Sequence, residues 1–404
     1  MKNYTLVTFL GKGRENRETG YRKTRYRFPG EVEPRPETAF LGLELAKYLK
    51  PDVLVILGTS GSQWGVLMEN LALEGQEEEK RICLMDAEAT ATVEQQTLDG
   101  LTDVLSGATG YNVMPMLIPF GKNAEEQYNI LDTVADAVPN GAVSFDVTHG
   151  FRHLGMVGFL SAFMLERVRN LAVRDLWYGA LDMTENGVTP VLKLDGLTHV
   201  QRWVSALDRF DATGDYGVFE PLLIEDGVAE DKAKCLKEAA FFERNFNVSD
   251  AKRKIHTFLS ELESLSGASG LFRKKLRERL VWVKESDLGE HQRKLAFQYL
   301  NRGDFVRAAV LGWEATITRQ CLLRDKSPDE FPARKETQEK FESELKEQKY
   351  EQRKVEAYWD LKDLRNALAH GGEPSCKHIR QILKDPNPER LHREIETCLQ
   401  RLLN

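Results

Sequence analysis

An open, mostly parallel α/β domain followed by an all-α domain is the architecture this 404-residue sequence predicts. Three observations carry it. Short apolar runs alternate with helical patterns through the first 200 residues. Glycines and small polar residues cluster just after several of those runs. Beyond about residue 230 the pattern is almost wholly helical and the charge density rises. Residues 1–200 hold 19 basic and 27 acidic residues, whereas residues 201–404 hold 37 and 36. The predicted organisation is an α/β domain over 1–200, a Gly/Pro/Asp-punctuated connector over 201–230, and a helical domain over 231–404.

The strand candidates are 4–10, 52–57, 81–85, 113–118, 142–146 and 176–181. A further strand, 189–194, would pair with the last of these across a turn at 184–187. Helical stretches are expected at 38–50, 62–73, 90–105, 124–137 and 152–170. The runs at 53–57 and 142–147 are largely apolar, as strands covered on both faces should be. In the second half the helices are expected at 232–246, 250–264, 271–285, 289–301, 304–323, 335–349, 353–370, 376–383 and 389–403, with Asp304 a ready N-cap.

Composition excludes several classes. With 56 Lys+Arg against 63 Asp+Glu, the net charge is −7, which argues against tight non-specific DNA binding. No apolar run approaches the roughly 18 residues that span a bilayer, and the start of the chain reads as a first strand, so a soluble cytoplasmic protein is expected. The five cysteines, Cys83, Cys235, Cys321, Cys376 and Cys398, are widely spaced and form no CxxC pair.

Three predicted strands end in candidate ligand loops: Gly11-Lys12-Gly13-Arg14, Gly58-Thr59-Ser60-Gly61-Ser62, and Asp146-Val147-Thr148-His149-Gly150-Phe151-Arg152. All are carboxyl ends of strands in a parallel sheet, the edge where doubly wound folds bind ligands. Backbone N–H groups there and at the following helix starts favour an anion. Lys12, Arg14 and Arg152 could neutralise phosphates, and Asp146 is expected to orient its loop. A structural reading stands beside this one, with His149 a satisfied interior histidine; a metal held by His149 and His153 is a rarer alternative. Trp64 and Trp177 are expected in the core. The Gly-x-Gly at 11–13 lacks the rest of a dinucleotide fingerprint, which disfavours a nicotinamide-dependent oxidoreductase.

In the helical half, Arg365-Asn366-Ala367-Leu368-Ala369-His370 precedes Gly371-Gly372. A glycine there is a common helix stop, so His370 falls in the last turn, where the macrodipole favours a protonated imidazole. Five residues separate Arg365 from His370, about 140° around a helix, so a compact site is easier to build from two copies across a two-fold axis. An arginine and a histidine suit RNA cleavage, because the ribose 2′-hydroxyl is an internal nucleophile. Asn366 could orient either group. On spacing alone, an ordinary solvated helix surface is the commoner reading.

Taken together, the Asp146–Arg152 segment resembles the Asp-x-Thr-His-Gly signature of CRISPR-associated CARF–HEPN ribonucleases of type III systems. These join a Rossmann-like sensor (CARF) to a helical nuclease (HEPN). Leu57–Ser62 and Trp177-Tyr178-Gly179-Ala180 fit the sensor, and the Arg365–His370 spacing fits the nuclease pattern. The resemblance implies a cyclic oligoadenylate activator, cyclic tetra-adenylate favoured, bound across a homodimer or higher oligomer by Gly11, Lys12, Gly13, Thr59, Ser60, Gly61, Ser62, Thr148, His149, Gly150 and Arg152. It implies a composite, metal-independent endoribonuclease site built from Arg365, Asn366 and His370 of both copies, which cuts single-stranded RNA to 2′,3′-cyclic phosphate and 5′-hydroxyl ends. Activation would require the messenger to bind the active arrangement better than the resting one. Two rivals remain at this stage. One is a non-catalytic nucleotide-sensing regulator. The other is a ring nuclease that degrades its messenger in the sensor, with Thr59, Ser60 and His149 as polar candidates.

Overall fold

The computed structural model describes residues 3–12, 15–16, 20–21, 23–69, 71 and 76–404. The chain divides into two compact units, residues 1–198 and 199–404. The first contains β1 (Asn3–Leu10), a small hairpin of β2 (Glu15–Asn16) and β3 (Gly20–Tyr21), β4 (Thr24–Arg27), β5 (Glu37–Thr38), α1 (Leu41–Leu49), β6 (Val53–Gly58) and α2 (Trp64–Glu69). It continues with α3 (Gln76–Ala89), α4 (Gln95–Asp99), α5 (Thr102–Thr109), β7 (Asn112–Leu117), α6 (Ala124–Ala137), β8 (Gly141–Asp146), α7 (Arg152–Val168), β9 (Ala172–Gly179) and β10 (Val188–Lys193).

These strands form a sheet in the order β5-β4-β10-β9-β8-β1-β6-β7. From β9 to β7 every pairing is parallel; β10 runs antiparallel to β9. The order reverses between β1 and β8, so the switch point of the sheet lies at the carboxyl ends of these two neighbours. Alternation along each strand explains why both faces are covered. On β1 and β6, Leu6, Leu10, Leu54 and Ile56 face a core shared with Leu41, Trp64 and Leu105. Val7, Phe9, Val55 and Leu57 face the opposite core, with Ile130 of α6 and Leu154 and Leu165 of α7.

The outer edge of β7 is occupied by side chains. Its inward amides point to β6, so positions 113, 115 and 117 face outward. Val113 N–H donates to Ser106 Oγ at 3.0 Å, Pro115 has no N–H, and Leu117 N–H donates to Gln95 Oε1 at 2.6 Å. The Gln95 amide donates in turn to the Pro115 carbonyl at 2.9 Å.

Two expectations in this unit need correction. Residues 81–85 are helical, inside α3, where a strand was expected. The apolar run there is too short to separate the two states by periodicity, and its flanks are rich in Glu, Lys, Arg and Ala. Only Leu84 of that run is fully buried. The single helix expected over 90–105 is two helices, α4 and α5, interrupted at Gly100. The hairpin expected at 184–187 is present, as Trp177, Tyr178 and Gly179 pair antiparallel with Lys193, Leu192 and Val191.

The second unit is all helix: α8 (Asp195–Thr213, which begins before the division), α9 (Glu220–Glu225), α10 (Glu230–Arg244), α11 (Val248–Leu262), α12 (Gly267–Leu280), α13 (Leu288–Asn301), α14 (Phe305–Leu322), α15 (Phe331–Lys346), α16 (Gln352–His370), α17 (Lys377–Lys384) and α18 (Pro388–Leu403). The stretch 201–230, read from its Gly and Pro content as a connector, is largely helical. Trp203, Phe210, Tyr216, Phe219 and Leu223 all lie in the core of this unit. Gly214 and Gly227 follow helix ends there, and Pro221 sits in the first turn of α9, so the punctuation marks helix boundaries and not a linker. Asp304 caps α14 as expected, accepting the Arg307 amide at 3.0 Å. Glu243, 1% exposed, accepts hydrogen bonds from Tyr216 and Tyr299, each at 2.6 Å. Burial raises its carboxyl pKa, against the lowering effect of the two phenols. No helix among the described residues is long and apolar enough to cross a membrane.

Candidate functional site

Two places in the chain gather the predicted chemistry, and each belongs to one unit. The first is the loop cluster at the carboxyl edge of the sheet. Asp146, wholly buried, ends β8 and holds the turn that follows. Its Oδ1 accepts the Thr148 amide at 2.9 Å and its Oδ2 accepts the Thr8 hydroxyl at 2.7 Å. Thr148 Oγ1 accepts the Gly179 amide at 2.7 Å, tying the turn to β9. Gly11 lies directly against Gly150: a Cβ added at Gly11 would sit 2.4 Å from the Gly150 nitrogen. Only a glycine allows these two loops, from neighbouring strands at the switch point, to approach so closely.

His149 turns inward. Its Nε2 accepts the Leu41 amide, the first of α1, at 3.1 Å, and its ring meets Phe40 edge-on at 5.6 Å. An acceptor nitrogen requires a neutral imidazole with the proton on Nδ1. Consistently, desolvation holds its pKa below the ordinary histidine value, against the opposing pull of Asp146. The second loop is bonded into itself in the same way. Ser62 Oγ accepts the Thr59 amide at 2.8 Å and donates to the Leu10 carbonyl at 2.8 Å. The Trp64 indole donates to the Thr59 carbonyl at 3.0 Å, which makes Trp64 a core residue, as expected.

Of the predicted ligand residues, Thr59 and Ser62 are therefore buried in loop-pinning bonds. Ser60 and Gly61 are half-buried, and Lys12, Gly150 and Arg152 are exposed. Gly13 and Arg14 lie outside the described residues. The structure adds a cluster the sequence reading missed. His153 Nε2 donates to the Phe120 carbonyl at 2.8 Å, its ring stacks on Phe151 at 5.8 Å, and Lys122 Nζ lies 4.7 Å from the Phe120 ring centre. Phe120 and Lys122 follow β7, another parallel strand's carboxyl end, and that position was the signal available for finding them. His149 spends its Nε2 lone pair on the Leu41 amide and carries its proton on Nδ1, so in this arrangement it has no lone pair left to share a metal with His153.

The second place is the end of α16. Gly371 takes a left-handed φ of 68° and its N–H bonds the Ala367 carbonyl at 2.8 Å, ending the helix just after His370. Asp363 accepts the Cys376 amide at 2.7 Å and so folds the following chain back along α16. Upstream, Lys362 and Tyr358 bond Glu342 of α15 at 2.7 and 2.8 Å. Burial raises the Glu342 pKa, but these bonds and one from Gln338 outweigh it and leave it lowered.

Because α16 is regular from Gln352 to His370, Arg365 and His370 project about 140° apart, whereas Asn366 and His370, four residues apart, share a face. Arg365 reaches across: its Nη1 donates to Asn366 Oδ1 at 2.8 Å, while its buried Nε has no partner. The His370 side chain is exposed and has no hydrogen-bond or ion-pair partner among the described residues. A cleft of about 420 Å³ opens beside it, lined by Ala367, Gly371, Glu373, Pro374, Arg380 and Lys384 among others. No cluster of three or more His, Cys, Asp or Glu is placed to hold a metal ion among the described residues.

Comparison with known proteins gives three findings. Residues 5–178, most of the α/β unit, match the family model described as the CARF domain of CRISPR system endoribonuclease Csx1, so this unit is related to CARF domains. The CRISPR-associated protein MJ1674 of Methanocaldococcus jannaschii is 23% identical over 264 residues, which cover 60% of this chain and 41% of that protein. The match thus spans about two fifths of the length of this curated relative. Among solved structures, Enterococcus italicus Csm6 bound to cyclic hexa-2′-fluoro-hexa-dAMP aligns over 99% of this chain and 94% of its own, with 13% identity and a TM-score of 0.37.

Proposed function

We propose that this chain is an endoribonuclease of type III CRISPR defence that cleaves single-stranded RNA when a cyclic oligoadenylate occupies the loop edge of its α/β unit. The observation that carries the proposal is the joining, in one chain, of a CARF-matching unit to a helix end where His370 and the Arg365–Asn366 pair are left under-bonded. Two copies related by a two-fold axis would face these helix ends to each other and complete one composite HEPN-type site.

The chemistry needs no external nucleophile. The ribose 2′-oxygen attacks the adjacent phosphorus and loses its proton. The bond from phosphorus to the 5′-oxygen breaks, and that oxygen takes a proton. The products are a 2′,3′-cyclic phosphate and a 5′-hydroxyl. His370 moves a proton at one of these oxygens, and Arg365 offsets the charge on the pentacoordinate phosphorus. Asn366 links the two groups, since it already holds the guanidinium and shares the His370 face. At the sheet edge, a cyclic polyanion would be met by Lys12 and Arg152, by Ser60, and by loop amides at Gly61 and Gly150. Cyclic tetra-adenylate is the favoured activator.

The test is RNA cleavage against cyclic oligoadenylates of three, four and six units, with His370→Ala as control. Cleavage that depends on one ring size and is lost in the variant, with messenger binding retained, is expected. Full cleavage by His370→Ala would remove the assignment. Messenger consumption without RNA cleavage would favour a ring nuclease.

A further inference from the structure

We infer that the cleft beside His370 is a phosphate-binding subsite for the RNA strand, in which Arg380 and Lys384 grip a backbone phosphate neighbouring the scissile one. Glu373 is the placeholder that aligns the two cations until RNA displaces it. The inference rests on the ribonuclease reading above and deepens it.

Position is the first support. The cleft begins at Gly371, the residue after His370, and includes Ala367, one turn earlier on α16. Its far wall is α17, which presents Arg380 and Lys384 four residues apart on one helical face. The opposite side of α17 buries Ile379 and Ile382, so the two cations stand on an anchored element.

The convergence of charge is the second support. Arg380 Nε and Lys384 Nζ each lie 3.2 Å from the same oxygen, Glu373 Oε1. Two cations focused on a single oxygen already have the geometry that a phosphate oxygen requires. The Arg380 Nε makes an ion pair there but no hydrogen bond, so one donor of the guanidinium remains unused. The Arg380 Nη2 donates to the Pro374 carbonyl at 3.0 Å, which sets the plane of the fork.

Exchangeability is the third. All three side chains are well exposed, at 40%, 71% and 58% for Arg380, Lys384 and Glu373. Ion pairs so open to water are weak and readily exchanged. A phosphodiester brings its own charge and offers the arginine charge-assisted hydrogen bonds that the present pairing leaves unmade. Both cations pair with one carboxylate, which leaves the cleft with a surplus of positive charge in a chain that is acidic overall.

The experiment measures binding of a 2′-O-methyl oligoribonucleotide, which cannot be cleaved, to the full chain by fluorescence anisotropy across a salt series. The Arg380→Ala/Lys384→Ala double variant should bind at least tenfold more weakly and flatten the dependence of log Kd on log salt by about 1.4 units. Lys384→Ala alone, at an exposed position, should give about half of that flattening, and it guards against misfolding of the double variant. Glu373→Gln should tighten binding, by about threefold, because it removes the competing anion. A merely structural role for the triad predicts the opposite sign for Glu373→Gln. Unchanged affinity and salt slope in Lys384→Ala and in the double variant, or no binding of the oligonucleotide by the wild type, would overturn the inference. The two readings fail separately. If wild type never cleaves RNA yet its binding depends on Lys384, the nuclease reading falls and the subsite stands. If His370→Ala abolishes cleavage while the Arg380 and Lys384 variants bind as wild type, the subsite falls alone.

Discussion

The loop cluster of the α/β unit and the end of α16 hold similar residue types in opposite states. In the loops, the polar side chains are already consumed: Asp146, Thr148, His149, Thr59 and Ser62 each have backbone or side-chain partners that fix the turns. At the end of α16, the His370 side chain has no partner among the described residues and Arg365 keeps a buried, unpaired Nε. Buried donors without partners are costly, so such a group is expected to find its partner in an assembly or a ligand. Under the proposed function, a receptor edge of this kind would be built rigid first and bind with what is left exposed, whereas the helix end would keep its groups in reserve.

Four tests would break or sharpen that contrast. The largest effect is expected from Arg365→Ala, which should lower RNA cleavage by at least 100-fold. Its melting temperature should stay close to wild type, because the residue it loses holds only Asn366. A large drop in melting temperature would move Arg365 to the structural side of the comparison.

Next comes Gly11→Ala. The added methyl would meet the Gly150 backbone at 2.4 Å, and neither loop has a flexible side chain there to give way. A loss of about 2–3 kcal/mol in stability of the α/β unit is expected, with weaker messenger binding, both measurable by denaturation and calorimetry. A third contrast separates two serines of one loop. Ser62→Ala should cost about 1–2 kcal/mol because it orphans the Thr59 amide and the Leu10 carbonyl. Ser60→Ala should leave stability within about 0.5 kcal/mol and weaken messenger binding instead. Equal stability in the two variants would show that loop pinning does not depend on Ser62.

The smallest effect concerns pH. The folded His149 has a depressed pKa, so its contribution is fully present above the unfolded value of about 6.5 and is lost as pH falls through the folded value. His291 in the helical unit is also depressed, by burial first and then by Lys252, and its Nε2 donates to the Glu285 carbonyl at 3.0 Å. Thermal melts from pH 7.5 to 5.5 should therefore fall in the wild type. They should fall less in His149→Gln, whose amide oxygen can still accept the Leu41 N–H, with the His291 share left intact. Identical slopes would remove His149 as a source of the acid sensitivity.

How far the chain could be read in advance follows from the same physics. Strands β1, β6 and β8 were legible because a strand covered on both faces is largely apolar, as in Val53–Gly58. The helix spanning 124–137 was legible to its ends, since Asn123 accepts the Glu126 amide as a cap. The run at 81–85 was not, because four apolar residues carry no period. The 201–230 stretch misled because its glycines and prolines mark helix ends as readily as linkers. At the sites, residue identities were readable but their engagement was not. Nothing in the sequence distinguishes Ser60 from Ser62, or shows that His149 faces the start of α1. The triad of Glu373, Arg380 and Lys384 depends on a chain reversal fixed by Asp363, a contact between residues 13 apart.

The sealed rim of β7 has a consequence for how copies of this chain can meet. With a serine hydroxyl, a proline and a glutamine carboxamide filling its three outward positions, that rim offers no free main-chain donors to a stranger's strand. Sheet-to-sheet zippering is barred on that side, which protects the chain from templated aggregation. Pairing of protomers along this rim is left to side chains, where it can be specific and reversible.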